Sequence, residues 1–490
     1  MEARESLDDD VCYRALQTRD RRFDGRFFVG VSSTGIYCRP VCPARTPHRK
    51  NCTFHRCAAS AQEAGFRPCL RCRPETAPGT PAWQGPSAIV ARALRLISTG
   101  ALDDGSLPEL ADRLGVGERH LRRLFRDHLG ASPQAVAQTR RLLFAKRLLR
   151  ETELPITQLA LASGFRSHRR FHAAVREAFG CSPRELRRPR AVTETDRGLE
   201  LRFAYRPPFD WEGLLAFLEL RAVAGVEQVA EGVYWRTFDE SGVLGVVSVA
   251  HDPDRRELEV RVFAAEPVSL IRLGERVRRL FDLEADPEAI RRELRSDLTL
   301  RPLLRARPGV RVPGAWDPFE IVVRAVLGQQ VTVRGACTLA GRIVERVGRR
   351  VPILAGMPAG LSHAFPGAAA LADADLAGLG LTGARERALA TVARAASSGD
   401  VVLDGSVDPA AVRSALEALP GIGPWTARYV AMRGLGEPDA FPDGDLGLRK
   451  ALGTANEPVS VAELRTGSEA WRPWRAYAAI LLWGSESAQR

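Results

Sequence analysis

Two closely spaced pairs of cysteines near the start of the chain are the side chains best suited to bind a metal ion. Cys38 and Cys42 have three residues between them, and Cys69 and Cys72 have two. Such spacings let two thiolates reach one tetrahedral zinc ion from a single turn, so the two pairs can supply four ligands. Four residues between the pairs are either competing ligands or ordinary loop residues: Cys52, Cys57, His48 and His55.

A glycine-rich segment near the other end of the chain is suited to hold a phosphate. The segment is Leu419-Pro-Gly-Ile-Gly-Pro-Trp-Thr-Ala427, with two glycines separated by one residue. Glycines permit a tight hairpin between two helices and leave backbone N–H groups free to bind a phosphate without contacting a base. We expect Gly421, Gly423 and Thr426 to bind DNA there.

The positive charge of the chain lies in its first part. The 490 residues carry a formal net charge of +12. Residues 1–190 contain 34 Lys and Arg against 19 Asp and Glu, which gives +15, whereas the other 300 contain 37 against 40, which gives −3. A basic excess confined to one region is typical of a surface that binds a polyanion such as a nucleic acid, although arginine-rich genomic composition also contributes such residues.

Two similar segments predict a pair of helix-turn-helix units. Leu129-Gly-Ala-Ser-Pro133 recurs as Phe179-Gly-Cys-Ser-Pro183, and the turn glycines Gly115 and Gly164 stand 49 residues apart. Each turn is followed by an arginine-rich helix, which in such units lies in the major groove, whereas many charged helix faces are merely solvated. The residues that we expect to reach DNA are Arg119, Arg122, His168 and Arg169.

The segments that carry these candidate residues differ in their predicted secondary structure, which indicates four domains. Alternating β-branched residues at 199–203, 232–238, 245–249 and 257–262, with a helical stretch at 211–222, predict a small α+β domain, and helical periodicity from about 317 predicts an all-α one. The fold class is therefore multidomain α+β. Its parts are a small zinc-bound α/β domain at 1–77, a linker at 78–86, an all-α double helix-turn-helix domain at 87–190, an α+β domain with an antiparallel sheet at 195–305, and an all-α hairpin-containing domain at 306–490.

The first segment resembles the N-terminal domain of the Ada methylation-response proteins. The resemblance rests on Thr34-Gly-Ile-Tyr-Cys-Arg-Pro-Val-Cys42 and on Gly65-Phe-Arg-Pro-Cys-Leu-Arg-Cys72. It implies one zinc ion held by four cysteine thiolates, of which Cys38 irreversibly accepts a methyl group from a DNA methyl phosphotriester. Loss of one negative charge on methylation would reduce repulsion from phosphates and tighten DNA binding.

The second segment resembles the AraC family of transcription factors over about 87–190. The resemblance rests on Ile156-Thr-Gln-Leu-Ala-Leu-Ala-Ser-Gly-Phe165, and in Ada proteins this module follows the zinc domain. It implies binding to promoter DNA, with RNA polymerase as the expected partner.

The remainder, about 195–484, resembles the helix-hairpin-helix glycosylases, and specifically the AlkA-type 3-methyladenine glycosylase II branch. The hairpin segment together with Gly444-Asp445 and Leu446-Gly-Leu-Arg-Lys450 carries this resemblance. It implies that Asp445 is the catalytic carboxylate, with Asp443 and Asp439 as alternatives, because a nearby carboxylate stabilises the positive charge that develops on the sugar.

The same resemblance implies further features of the site. Trp425, Tyr429 and Trp483 match aromatic positions of a damaged-base pocket, whose rings would attract cationic alkylated purines. Aromatic residues in helices more often belong to the core, an alternative that applies above all to Trp471 and Trp474. Lyase members carry a lysine where Trp425 stands, so we expect base release without strand cleavage. Cys337 is the last cysteine, so we expect no iron–sulfur cluster. The residue that replaces the flipped base is expected in the loop at Gln329-Gln330, where Gln330 is polar although an apolar wedge is usual.

The sequence therefore predicts an alkylation-sensing regulator fused to a DNA-3-methyladenine glycosylase. The alternatives are a regulator with an inactive glycosylase fold, and an enzyme that uses its first two domains only to dock. We expect a monomer acting on alkylated and promoter double-stranded DNA in the bacterial cytoplasm, associated with the nucleoid. No apolar run suits a membrane span, and the acidic start lacks a secretory signal.

Overall fold

A computed structural model of the chain describes residues 8–77, 88–152, 154–187, 198–453 and 456–488. These divide between two compact units, one formed by 1–206 with 266–275 and the other by 207–265 with 276–490. The predicted linker at 78–86 lies outside the described residues. None of the helices found in the described ranges has the length and apolar character needed to cross a membrane.

The zinc region of the first unit is built on a four-stranded sheet of order β3-β1-β2-β4. Strand β1 pairs antiparallel with β2 and β3, and β2 pairs parallel with β4. One face of β1 packs with helix α1 around buried Phe27, Val29 and Leu16. The elements are α1 (Asp9–Thr18), β1 (Phe28–Val31), β2 (Ile36–Cys38), β3 (Cys52–His55), α2 (Ala58–Glu63) and β4 (Arg67–Pro68).

The described residues between 88 and 187 form eight helices, which contain two helix-turn-helix pairs, α5–α6 and α8–α9, as predicted. Gly115 and Gly164 occupy the two turns with φ of 68° and 81°, a conformation that favours glycine. The eight helices are α3 (Ala88–Ser98), α4 (Ala101–Asp104), α5 (Leu107–Arg113), α6 (Glu118–Leu129), α7 (Pro133–Glu151), α8 (Ile156–Ala162), α9 (His168–Phe179) and α10 (Pro183–Leu186).

The repeated Gly-x-Ser-Pro sequence ends the second helix of each pair and begins the helix that follows it, α7 after α6 and α10 after α9. Gly130 and Gly180 are left-handed C-caps, with φ of 68° and 70°. Ser132 and Ser182 then accept a backbone N–H as N-caps, and each is followed by a proline in the first helical turn. The glycine of the repeat therefore terminates one helix, and its serine and proline initiate the next.

The second unit contains an antiparallel meander in which β6, β7, β8 and β9 pair in sequence order. Side chains of β7 and β9 alternate between buried and partly exposed, as expected for a sheet with one face on the core. The elements up to this point are β5 (Leu199–Ala204, in the first unit), α11 (Trp211–Leu220), β6 (Glu227–Ala230), β7 (Val233–Glu240), β8 (Val243–Asp252) and β9 (Glu257–Ala264).

The described residues from 266 onward form helices joined by loops, as predicted, together with one pair of two-residue strands, β10 and β11. The helical core centres on α15, where eight of ten residues are buried. The elements are α12 (Leu270–Leu280), α13 (Pro287–Leu294), α14 (Leu300–Ala306), α15 (Pro318–Leu327), α16 (Val333–Val347), β10 (Arg349–Arg350), β11 (His363–Ala364), α17 (Ala368–Ala372), α18 (Gly383–Ser398), α19 (Pro409–Glu417), α20 (Pro424–Arg433), α21 (Leu446–Leu452), α22 (Val461–Ser468) and α23 (Arg475–Ala488).

Candidate functional sites

The four predicted zinc ligands converge in the first unit. The sulfur atoms of Cys38, Cys42, Cys69 and Cys72 all lie within 4.8 Å of one another. A tetrahedral zinc ion with bonds of about 2.3 Å places its sulfur ligands roughly 3.8 Å apart, so the cluster has the size and chemistry of a four-thiolate zinc site. The predicted cofactor, one Zn²⁺ held by four thiolates, is confirmed.

Sheet register and tight turns explain this convergence. Cys38 ends β2, and the backbone N–H of Cys69 donates to the carbonyl of Tyr37 on the same strand at 3.0 Å. Backbone N–H groups also point at the sulfurs: Arg71 N–H donates to Cys69 Sγ at 3.3 Å, and Arg39 N–H to Cys72 Sγ at 3.4 Å. Such donors support negative charge on the thiolates.

Cys38 differs from the other three ligands in its accessibility. Cys42, Cys69 and Cys72 are 6–7% exposed, whereas Cys38 is only half-buried. Hydrogen bonding from Cys38 lowers the pKa of Cys42 to about 7, whereas hydrogen bonding to Cys42 and its neighbours raises the pKa of Cys38. Thiols this close together do not ionise independently, because neighbouring thiolates repel one another. A bound dication offsets this repulsion and allows all four to be thiolates.

The competing ligands lie elsewhere. Cys52 packs in the core of the sheet with Cys12, and its Sγ donates to the carbonyl of His48 at 3.4 Å. Cys57 is the N-cap of α2. His55 contacts Thr53 Oγ1 through Nε2 at 3.0 Å. Among the residues that the structure describes, only the four predicted cysteines form a metal-sized cluster of this kind.

A buried lysine lies against the ligand cluster. Lys146 on α7 is fully buried, and its Nζ donates to the carbonyl of Cys69 at 3.1 Å and to Glu75 Oε2 at 2.7 Å. Burial lowers the pKa of Lys146 and outweighs the attraction of Glu75. Lys146 was not among the predicted site residues, and its only signal in the sequence is that the chain has just three lysines.

The residues predicted to reach DNA from the helix-turn-helix pairs are exposed on their second helices. Arg119 and Arg122 lie on α6, where Arg122 also pairs with Glu118 at 2.5 Å. His168 and Arg169 lie in the first turn of α9. Their assignment to DNA contacts stays a prediction.

Asp445 is fixed by donors that carry no charge. It is the N-cap of α21, where Oδ1 accepts the backbone N–H of Leu448 at 3.0 Å. The indole N–H of Trp483 donates to the same oxygen at 2.9 Å, and that of Trp425 donates to Oδ2 at 3.0 Å. These neutral donors set the position of the carboxylate from three sides.

The two alternative aspartates are ion-paired. Asp443 is nearly buried, and its carboxylate pairs with Arg428 and, at 2.7 Å, with Arg465. Asp439 pairs with Arg472 and, at 2.9 Å, with Arg475. Charges neutralised in this way are poorly placed to stabilise a cationic sugar.

Aromatic rings form a continuous half-buried wall beside Asp445. Trp425 and Tyr429 stack with centroids 5.3 Å apart and an interplanar angle of 15°, and Tyr429 lies 6.2 Å from Trp483. Phe217 on α11, which the sequence analysis missed, continues the wall 6.4 Å from Trp483. A helical phenylalanine resembles any core residue in sequence, so only the fold identifies it.

The phenol of Tyr429 is surrounded by arginines that the sequence analysis also missed. Arg433 Nη1 donates to Tyr429 Oη at 2.8 Å. Burial alone would raise the pKa of Tyr429, but the charges of Arg433 and Arg221 outweigh it and lower the pKa. Burial also lowers the pKa of Arg221, and the neighbouring charge of Arg433 adds to this effect.

The predicted hairpin lies between α19 and α20, and the predicted wedge loop is tied to it. Gly421 has a φ of 86°, and Gly423 is the N-cap of α20. Gln329 Nε2 donates to the carbonyl of Gly421 at 3.0 Å and to the buried Thr426 Oγ1 at 3.1 Å. Gln330 follows with an exposed side chain and a φ of 55°. Its role as wedge stays a prediction.

Three families match successive parts of the chain. The metal binding domain of Ada matches residues 11–75, a helix-turn-helix domain matches 110–189, and the AlkA N-terminal domain matches 200–317. These matches confirm the predicted fold class and the three resemblances. The exact limits of the four predicted domains stay predictions.

Curated proteins and a solved structure extend these matches. A probable bifunctional transcriptional activator/DNA repair enzyme AlkA of Mycobacterium tuberculosis is 42% identical over 481 residues, 97% of this chain and 96% of that protein. The DNA-3-methyladenine glycosylase 2 of Escherichia coli is 36% identical over 58% of this chain and 97% of its own length. The 3-methyladenine DNA glycosylase of Archaeoglobus fulgidus shares the fold, with a TM-score of 0.52 and 24% identity over 59% of this chain and 98% of its own.

Proposed function

Because the chain belongs to the family of AlkA-type bifunctional transcriptional activators and DNA repair enzymes, we propose that it both repairs alkylated DNA and senses alkylation. The glycosylase region hydrolyses the N-glycosidic bond of alkylated purines such as 3-methyladenine. The zinc region takes a methyl group from DNA methyl phosphotriesters and thereby activates transcription. The single observation that carries the repair activity is Asp445, held by two indole N–H groups beside a wall of aromatic rings.

Base release follows from this arrangement. The flipped base lies against the rings of Trp425, Tyr429 and Trp483, and the bond between its nitrogen and C1′ breaks with both electrons going to the base. Asp445 stabilises the positive charge left on the sugar, and water then adds to C1′ and loses a proton. Trp425 stands where a lyase would carry a lysine, so no Schiff base forms and the strand stays intact.

Methyl acceptance follows from the exposure of Cys38. When bound, zinc keeps the four thiols deprotonated at neutral pH. The Cys38 thiolate attacks the methyl carbon, an S–C bond forms, and the phosphate oxygen leaves with the bonding electrons as a normal phosphodiester anion. The resulting thioether has no good leaving group, so the transfer occurs once per molecule. It also removes one negative charge beside DNA, which tightens binding.

The finer assignments are part of the same proposal. Arg119, Arg122, His168 and Arg169 contact promoter DNA, and Gly421, Gly423 and Thr426 bind the backbone of damaged DNA, with Gln330 filling the space of the flipped base. The protein acts as a monomer on the bacterial nucleoid, in the cytoplasm, and contacts RNA polymerase. The domain limits are 1–77, 87–190, 195–305 and 306–490.

Release of 3-methyladenine from methylated duplex DNA tests the repair activity. Asp445→Asn should lower the single-turnover rate by roughly 100-fold or more, the size expected when a preorganised transition-state charge is lost. Asp439→Asn is the matched control and should release base at close to the wild-type rate per folded molecule. Equal release by wild type and Asp445→Asn would return the catalytic assignment to Asp443 or Asp439. No release by folded wild type would leave a regulator with an inactive glycosylase fold.

Methyl acceptance is tested separately by peptide mass spectrometry after incubation with methylated DNA. The adduct should appear on the peptide that contains Cys38, and Cys38→Ala should show none. An adduct on Cys42, Cys69 or Cys72 in the wild type would overturn the assignment of the acceptor.

A further inference from the structure

The loop between α15 and α16 carries an exposed amide, that of Gln330, whose chemistry the mechanism above does not use. Within the described part of the chain this amide forms no hydrogen bond. The backbone of Gln330 has a φ of 55°, a left-handed conformation that costs free energy in a residue with a Cβ atom. Such strain persists where the surrounding structure imposes it, and it is common in residues that contact a ligand.

The preceding residue fixes this loop in place. Gln329 Nε2 donates to the carbonyl of Gly421 at 3.0 Å and to Thr426 Oγ1 at 3.1 Å. The carbonyl of Gln329 in turn accepts a hydrogen bond from Arg385 on α18. The loop is therefore held against the hairpin and against α20, the helix that carries part of the aromatic wall. Gln330 is the next residue, so its amide is presented from a fixed backbone.

Apolar side chains accompany the amide at the surface. Val331 is 37% exposed and Val333 is 38% exposed, which is unusual for valines beside a well-packed helix such as α15. The loop therefore offers DNA apolar groups and one amide at the same point. A nucleobase has the complementary composition, because its faces are apolar and its edges carry hydrogen-bonding groups.

Base flipping creates a partner for this amide on the opposite strand. When a damaged purine leaves the helix, the pyrimidine that faced it loses its hydrogen bonds. Thymine then exposes an N–H donor beside a carbonyl acceptor, and cytosine exposes a nitrogen acceptor beside an amino donor. A glutamine amide carries one acceptor and one donor group side by side, so rotation by half a turn matches it to either pyrimidine. An apolar wedge would leave these groups unpaired at a cost in free energy.

We propose that Gln330 is a specificity-determining residue whose amide hydrogen-bonds to the pyrimidine left unpaired opposite the flipped purine. The proposal rests on the glycosylase function proposed above and extends it from the damaged base to the opposite strand. Because the amide matches either pyrimidine, one loop serves lesions derived from adenine, which face thymine, and lesions derived from guanine, which face cytosine. Gln329 and Arg385 are positioning residues, because they act on the loop.

Binding to duplexes that contain a tetrahydrofuran abasic site tests this contact without base release. The base opposite the abasic site is thymine, cytosine or difluorotoluene, which has the shape of thymine but forms hardly any hydrogen bonds. The full-length wild type should bind the thymine and cytosine duplexes about tenfold more tightly than the difluorotoluene duplex, the scale of one or two neutral hydrogen bonds. An excess of undamaged competitor duplex suppresses binding that does not depend on the abasic site.

Two variants distinguish the amide from the rest of the loop. Gln330→Leu retains the approximate size of the side chain and removes the amide, so it should bind all three duplexes within about twofold of one another. Val331→Ala is the matched control, because it removes apolar surface from the same loop and should weaken binding to all three by the same factor. A wild type without the preference, a Gln330→Leu variant that retains it, or a Val331→Ala variant that loses it would overturn the proposal.

The binding preference and the release of 3-methyladenine can fail independently. A wild type that shows the preference but releases no base would refute the proposed glycosylase activity and support the contact between Gln330 and the unpaired pyrimidine. A wild type that releases base without showing the preference would support the activity and overturn the role of Gln330.

Discussion

The thiol site of the first unit and the carboxylate site of the second hold negative charge in opposite ways. Four sulfurs lie within 4.8 Å of one another, and three of these cysteines are buried. Asp445 is instead a single carboxylate that receives two indole N–H groups and one backbone N–H. The first arrangement needs a cation to exist as four thiolates, whereas neutral donors hold the second.

The surroundings of the two sites reinforce this difference. At the thiol site, the buried Lys146 donates to the carbonyl of Cys69 and is itself paired with Glu75. At the carboxylate site, arginines pair with Asp443 and Asp439, whereas the donors that the structure gives Asp445 are two indoles and one backbone N–H. The thiol site is therefore expected to depend on a bound metal ion for its stability, whereas the packing of helices holds the carboxylate site.

Removal of zinc should have the largest effect on folding, and this effect should be confined to the first unit. Structural zinc–thiolate sites contribute about 10 kcal/mol or more to folding, so chelation should unfold the region between Cys38 and Cys72. Hydrogen exchange measured by mass spectrometry should show loss of protection there and unchanged protection in α15 and α20. Base release should persist in the metal-free protein. Protection that survives chelation throughout the zinc region would contradict metal-driven assembly.

Removal of the indole donors should have the next largest effect, and this effect should be on the rate of base release alone. Trp425→Phe and Trp483→Phe each retain an aromatic face and delete one N–H donor to Asp445. Hydrogen bonds to charged groups contribute about 1.5–3 kcal/mol, so each variant should lose roughly 10- to 100-fold in single-turnover base release, and the double variant more. Trp471→Phe is the control, because its indole donates to Asp297 at 2.8 Å instead. Wild-type rates in both single variants would show that the indoles do not orient the carboxylate.

The two sites also differ in how far sequence predicts them. The four cysteines, Asp445 and its two indoles belong to recognisable motifs, and the Gly-x-Ser-Pro repeat predicts helix ends because capping residues act locally. Phe217 and Arg221 come from a helix about 200 residues before Tyr429, and only the fold brings them to the pocket. In a helix, an apolar residue normally indicates a core position and an arginine normally indicates a solvent-exposed one. The sequence pattern therefore did not indicate that these two residues share a site.

A second carboxylate in the second unit, that of Asp282, is also held by neutral donors. Asp282 accepts the hydroxyl of Tyr477 at 2.9 Å and the backbone N–H of Val312 at 3.2 Å. Burial raises the pKa of Asp282 from 3.8 to about 6, and the nearby Arg311 only partly opposes this. Neutral donors therefore position this carboxylate without offsetting the full cost of burying its charge.

Asp282→Asn should consequently change the pH dependence of stability. The folded state binds the proton more tightly than the unfolded state, so the contribution of Asp282 is greatest below pH 4 and is lost as the pH rises to about 6. The difference amounts to about 3 kcal/mol at most. Asparagine suits the φ of 49° at this position. Thermal unfolding of the variant and the wild type between pH 4 and 7 should show a flatter curve for the variant; parallel curves would contradict the raised pKa.

Substitutions in the hairpin should have the smallest effect on stability. They test whether close packing against α18 holds the hairpin in place. Gly421 has a φ of 86°, and a Cβ atom there would lie 2.8 Å from the Cβ of Ala388 on α18, so Gly421→Ala should destabilise the second unit by about 1–2 kcal/mol. Gly423 has a φ of −96° and no heavy atom within 4 Å of such a Cβ, so Gly423→Ala is a matched control that should leave stability nearly unchanged. Urea unfolding measures both, and affinity for undamaged duplex DNA measures whether the Gly423 methyl blocks a phosphate. If both variants unfolded like the wild type, the tight contact with α18 would not constrain the hairpin. Loss of DNA affinity in Gly423→Ala without loss of stability would show that the backbone at Gly423 contacts DNA while Gly421 maintains the shape of the turn.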